Sequence, residues 1–167
     1  MSHDSAFKGS QGVTTESGGK ALWSVGALVV VKVDGTQTDG AFSFMEHTAP
    51  AGWESPYHVH EGVDEMFYIL EGEMECYSGD DGEEVLHAGP GETMFLPRDV
   101  PHGFRVVGDD DCRMLIQVAP SGLEEFFAEV GVPAERMETP PPAEPDVAML
   151  TAVAKDYRLE ILGPLPK

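Results

Sequence analysis

His58 and His60 flank a single residue, Val59, in the stretch Tyr57-His58-Val59-His60-Glu61. On a β-strand, residues two apart share a face and lie ~6–7 Å apart along the chain. Both imidazoles can then converge on one ion while Val59 points away. Glu65 follows after a short connection and opens an apolar run. A carboxylate joined to two imidazoles suits a divalent first-row metal. His102, in a separate later segment after Pro97 and Pro101, can supply a fourth ligand. Three histidines and one carboxylate leave one or two positions of an octahedral ion open to water, substrate or O2. A closed structural zinc site is usually tetrahedral and rich in thiolate, and Cys76 and Cys112 are poorly placed to join. One divalent transition metal ion is expected, with Fe(II) favoured and Mn, Ni, Co or Zn open, because affinity order alone does not select it.

Such ligands need rigid strands to carry them, and the chain is punctuated into short ones. Apolar runs at 22–33, 42–48, 65–77, 83–88, 93–96, 102–107 and 113–119 end at turn signals such as Asp34-Gly35, Gly89-Pro90-Gly91 and Pro97. Strands at this spacing predict an all-β sandwich or barrel. At Ser121 the pattern turns helical. Ser121 and Glu124 have the spacing of a capping box, hydroxyl to the third backbone N–H and carboxylate back to the first. Leu123, Phe126, Phe127 and Val130 then fall on one helical stripe that stops at Gly131 and Pro133. A proline-rich linker follows, between Thr139 and Pro145. Pro145-Asp146 starts a second stripe of Val147, Leu150, Val153, Ala154 and Tyr157, and 159–162 reads as a last strand. The expected organisation is a flexible arm over 1–19, which includes His3, a barrel over 20–120 and a helical extension over 121–167.

Strand parity sketches a pocket. If Glu65 points inward, so do Phe67 and Ile69; His102 pairs by parity with Phe104 and Val106. In the preceding strand Phe42, Phe44 and Glu46 share one face, and Ser43, Met45 and His47 the other. Phe44, Phe67, Ile69 and Phe104 are the candidate substrate-pocket residues, each also readable as ordinary core. An apolar chamber beside a metal suits an aromatic small molecule. Met66, Tyr68 and Leu70 occupy the opposite face of the Glu65 strand. A strand apolar on both faces is buried on both, so the tail helices or a second subunit must cover them, and a homodimer is expected. His47 and His87 lie beside turns and read as structural or exposed. Trp53 either lines the pocket mouth or packs.

The spacing resembles that of the cupin family. Its first motif, G-x5-H-x-H-x(3–4)-E-x6-G, is matched by Gly52, His58, His60, Glu65 and Gly72. Its second, G-x5-P-x-G-x2-H-x3-N, is matched by Gly91, Pro97 and His102, with Asp99 in place of Gly and Val106 in place of Asn. The resemblance implies an all-β double-stranded β-helix, a jelly-roll barrel, here with a C-terminal helical extension. The tail, with Leu123-Glu-Glu-Phe-Phe and Leu159-Glu-Ile-Leu-Gly-Pro, is similar to that of bacterial quercetin 2,3-dioxygenase-like cupins. That likeness implies a metal-dependent dioxygenase using O2 on a phenolic or enolic small molecule. In those enzymes the carboxylate at the Glu65 position takes a proton from the substrate hydroxyl, so Glu65 is either a ligand alone or a ligand and a general base. Alternatives on the same fold are a non-redox isomerase or a cyclase or tailoring enzyme of aromatic polyketide assembly, where the metal is a Lewis acid, and a non-catalytic binding protein.

Composition narrows the partners. Ten Lys and Arg face thirty Asp and Glu in 167 residues, a formal charge of −20. Nucleic acid and anionic membranes both require a basic face, so neither is an expected partner. Apolar residues make up 41%, enough for a core. Two cysteines are no disulfide framework for this length, and a cytoplasmic protein with reduced thiols is expected. The longest aliphatic run, 27–31, is far too short to span a bilayer.

Overall fold

The computed structural model of the protein describes residues 11–166. In chain order the elements are β1 (Lys20–Ser24), β2 (Ala27–Val33), β3 (Ser43–Ala49), β4 (Tyr57–His60), β5 (Asp64–Glu71) and β6 (Glu73–Ser78). There follow β7 (Glu84–Ala88), β8 (Thr93–Leu96), β9 (His102–Val107) and β10 (Cys112–Ala119). The extension holds α1 (Leu123–Val130), β11 (Val132–Pro133), α2 (Val147–Ala154), a 3-10 turn (Lys155–Tyr157) and β12 (Leu159–Gly163). One sheet runs β11-β1-β2-β3-β10-β5-β8 and the other β12-β4-β9-β6-β7, with antiparallel neighbours throughout. This is the all-β barrel expected from the strand spacing, with the jelly-roll form that the resemblance implies. Among the described residues, no helix is long and apolar enough to cross a membrane.

Period-two burial shows why these segments are strands. On β3 the inward residues are Ser43, Met45, His47 and Ala49; on β5 Glu65, Phe67 and Ile69; on β10 Cys112, Met114, Ile116 and Val118. From the other sheet Met74, Cys76, Phe104 and Val106 meet them in one core. Each large side chain so buried contributes ~1.5–3 kcal/mol. Gly72 sits between β5 and β6 at φ 81, where a Cβ would stand 2.4 Å from the Asp111 carbonyl oxygen. Only glycine fits that crossing of chains.

Several expectations change. The run 22–33 is not one strand but a hairpin, turning at Val25 (φ 52) and Gly26 (φ 76). Both central residues have positive φ, as a two-residue hairpin turn of this hand requires. Ser121 does not cap α1: the N-cap is Gly122, and no side chain caps it. Glu124 keeps the reverse half of the box, accepting the Gly122 N–H at 2.9 Å and also the Gly35 N–H at 3.0 Å. Asp146 does cap α2, accepting the Met149 N–H at 3.0 Å. Of the expected arm, residues 1–10, with His3, lie outside the described residues. Residues 14–18 fold around Lys32, whose ammonium donates to the carbonyls of Thr15, Glu16 and Gly18.

The extension does not cover the outer face of β5. Met66 and Tyr68 are 41% and 43% exposed, beside Phe95 at 59%. It lies instead over the barrel mouth. β12 pairs with β4, setting Ile161 opposite His58 and Leu159 opposite His60. Ser24 Oγ donates to the Phe127 carbonyl at 2.8 Å, and the Tyr157 hydroxyl donates to the Glu129 carboxylate. The last strand is thus tied to the strand that carries two of the candidate ligands, and α1 to β1 and to the 3-10 turn.

Candidate metal centre and its cavity

His58 and His60 point inward from β4, Glu65 from the start of β5 and His102 from the start of β9. One ligating atom from each lies within 4.8 Å of all the others. Two sheets therefore contribute, the five-stranded one three imidazoles and the seven-stranded one the carboxylate. Glu65 Oε2 stands 3.2 Å from His60 Nε2 and 3.3 Å from His102 Nε2. All four residues are buried.

The loops hold this geometry. Asp99 stands at φ 64, the conformation glycine would supply in the second motif. Its backbone N–H donates to the His60 carbonyl at 3.0 Å, and its Oδ1 accepts the Gly62 N–H at 2.9 Å. Aspartate tolerates this conformation, and here its carboxylate fastens the turn between His60 and Glu65. Arg98 adds a two-pronged bridge to Asp64, at 3.1 and 2.7 Å.

Protonation favours ligation. His58 Nδ1 lies 2.7 Å from the Pro56 carbonyl oxygen. A carbonyl only accepts, so Nδ1 carries the proton and the Nε2 lone pair is left for a metal. Burial, helped by His102 and His60, holds the His58 ring well below its usual pKa and therefore neutral. Burial pushes the Glu65 carboxyl up, but His60 and His102 outweigh it and hold it well below the usual carboxylate range. Glu65 Oε2 and His102 Nε2 are nonetheless buried without hydrogen-bond partners. Orphaned buried donors and acceptors are rare. Converging ones, in an imidazole–carboxylate set, fit a divalent ion.

Neither cysteine joins the cluster. Burial pushes the Cys76 thiol up to about 12 and the Cys112 thiol up to about 11, so neither is a thiolate.

His58, His60 and Glu65 form part of the wall of an apolar cavity. Phe67 and Phe104 line it, their ring centroids 4.7 Å apart. Ile69 is wholly buried in the core rather than at the cavity wall. Phe44, expected at the pocket, does not line it: it faces the other side of β3, and the inward neighbour is His47. β3 lies between β2 and β10, and its Ser43–Met45–His47 face is the one that meets the core. His47, read as structural or exposed, thus lines the cavity, whereas His87 is exposed beside Glu73. Trp53 lines it too, its indole N–H donating to the Val25 carbonyl at 2.8 Å. The remaining wall comes from the extension, whose apolar stripes signalled burial but not a cavity. Leu123, Phe126 and Phe127 of α1, Leu150 of α2, and Leu159 and Ile161 of β12 close the cavity. It encloses about 70 Å³. Small-molecule sites usually hold ~300–1,000 Å³, so a multi-ring substrate requires these closing side chains to give way.

Comparison with known proteins places the fold. Residues 44–118 match the cupin domain family. Quercetin 2,3-dioxygenase of Bacillus subtilis is 34% identical over 99 residues, 59% of this chain and 28% of that one. Polyketide synthase CurC of Streptomyces cyaneus is 33% identical over 78 residues, 46% of this chain and 48% of that one. Among solved structures, the polyketide cyclase RemF from Streptomyces resistomycificus superposes with a TM-score of 0.56 at 28% identity, covering 66% of this chain and 80% of that one. The chain spans less than half the length of these two curated relatives.

Proposed function

We propose that this chain, a cupin over residues 44–118 and similar to quercetin 2,3-dioxygenase, is a metal-dependent dioxygenase acting on a phenolic or enolic small molecule with O2. One observation carries the reading: a buried His/Glu cluster with unpaired Glu65 Oε2 and His102 Nε2, set beside an aromatic-lined cavity. His58, His60, Glu65 and His102 would hold the ion, with Fe(II) favoured. Such an ion, when bound, supplies Lewis acidity towards a substrate oxygen and, if redox-active, a route for electrons to O2. The chain's own residues do the rest. Glu65, ionised at neutral pH, accepts the substrate hydroxyl's proton at Oε2. Phe67 and Phe104 orient an aromatic ring. The extension excludes water from the reacting group. The same reading includes a homodimer through the outer face of β5 and β8, where Met66 and Phe95 stand opposite each other and exposed.

A second reading, a non-redox polyketide cyclase, is favoured by the 28% identity to RemF over 80% of that chain. Oxygen uptake separates the two. Metal-loaded protein is given flavonols, catechols and aromatic polyketides in an oxygen electrode, with substrate followed by chromatography. Substrate loss coupled to O2 consumption supports the dioxygenase. Substrate loss without O2 consumption replaces it with the cyclase or isomerase, and binding without turnover with a binding protein.

A further inference from the structure

The cavity wall carries an unpaired polar side chain that the metal centre does not use. His47 faces inward from β3, on the other sheet from the three ligand histidines. It is 4% exposed and lines the cavity. Its ring meets the Trp53 ring edge-on at 5.4 Å and lies 6.2 Å from the Phe127 ring. Its Nδ1 is buried without a hydrogen bond. Ser55, on the same wall, is the contrast: its hydroxyl donates to the Pro56 carbonyl at 3.0 Å and accepts the Phe104 N–H at 2.9 Å. Two other unpaired buried atoms, Glu65 Oε2 and His102 Nε2, belong to the cluster, and Ser43 is not on the cavity wall. A buried polar atom left without a partner calls for a ligand or an ordered water.

We propose that His47 is a substrate-binding residue that hydrogen-bonds a second oxygen of an aromatic substrate whose first oxygen lies at the His/Glu cluster. The proposal rests on the aromatic-substrate reading above and narrows it. The ligand must carry at least two oxygens, separated by an apolar body that packs against Trp53, Phe67, Phe104 and Phe127. Burial pushes the His47 ring down to about 4, so it is neutral at neutral pH. A neutral imidazole carries one N–H and one lone pair and can donate to a ketone or accept from a phenol. A ligand lacking the second oxygen leaves that partner unmade, and a site built this way rejects it.

The test is calorimetric titration of zinc-loaded protein, zinc being redox-silent so that bound ligand is not consumed. The probes are quercetin and 3-hydroxyflavone. Both present the same hydroxyl–ketone pair to the cluster, and only quercetin carries further hydroxyls. The wild type is expected to bind quercetin about tenfold more tightly. In His47→Phe the two Kd values should converge to within about twofold, with 3-hydroxyflavone binding unchanged. His47→Gln should keep part of the gap. An unchanged gap in His47→Phe overturns the proposal, as does equal weakening of both ligands, which marks His47 as packing alone. Should His47→Phe not fold, His47→Leu is read by the same criteria. If the wild type binds neither probe, the flavonol-like reading fails first, before any substitution, and the role of His47 fails with it.

Discussion

His58 and His102 stand directly opposite each other across the β4–β9 pair, their ring centroids 4.6 Å apart. That register brings together two histidines 44 positions apart in sequence. His60 joins by strand parity, and Glu65 reaches in from the other sheet. The centre is therefore a product of register: a slip of one residue in β4 would turn both His58 and His60 outward. Because the strands hold the site through their own core, the barrel should fold without the ion.

Metal content is the first consequence. Protein purified without chelator should carry about one divalent transition ion per chain, read by elemental analysis. His58→Ala or His60→Ala should remove most of it while the circular dichroism of the barrel stays unchanged. Full occupancy in the double variant would exclude these residues as ligands.

Three of the four clustered residues were legible because they are local: His58, His60 and Glu65 fall within eight residues, and parity follows from the strand period alone, whereas His102 is brought in by strand pairing. The β1–β2 turn was hidden because Val25, a β-branched residue at positive φ, looks like strand. The pocket wall was half legible. The two faces of β3 were separable, but not which one met the core, and the aromatic Phe44 drew the choice from His47. The helical stripes of the extension announced burial without naming the surface they cover. That surface is set by the β12–β4 pairing, a contact between positions about a hundred apart.

Stability of the chelated protein should fall as pH drops from 7 to 5. His47 and His58 both have pKa values below their ordinary 6.5, His47 at about 4. For a histidine held neutral in the fold, the unfolded chain takes up the proton first. Folding is then fully supported above 6.5 and loses support as pH falls towards the depressed value. His47 alone should cost about 2 kcal/mol between pH 7 and pH 5, measured by urea unfolding. His47→Gln should flatten that part of the profile. A profile as steep as the wild type's in that variant would exclude His47 as the cause.

The extension should be part of the site rather than an appendage. Phe126 is buried and lines the cavity, so Phe126→Ala should cost about 3 kcal/mol. Truncation after Pro120 removes the β12 partner of β4 and should lower metal occupancy as well as stability. Unchanged stability and unchanged metal in the truncated chain would detach the extension from the centre.

Association should run through the outer face of β5 and β8. Phe95→Asp, opposite Met66 at the edge of the seven-stranded sheet, should convert a dimer to a monomer in sedimentation velocity with little loss of stability. A wild type that is monomeric at micromolar concentration would remove this interface.

Glu65 bears most directly on mechanism. It is the one anionic group in the cluster and faces the apolar cavity. His60 and His102 hold it ionised, so Oε2 can accept a proton, and transfer becomes favourable once the substrate hydroxyl is acidified. Glu65→Gln keeps the size and one oxygen ligand while removing the basic oxygen. Loss of a positioned base typically costs ~10²–10⁴-fold in rate. The variant should keep a good part of its metal and lose nearly all turnover on whichever phenol or enol the oxygen electrode identifies. The metal-to-protein ratio, measured on the same sample, separates the two roles. Near-normal turnover with metal retained would make Glu65 a ligand only. Retained metal with turnover down by two orders of magnitude or more would make it the base.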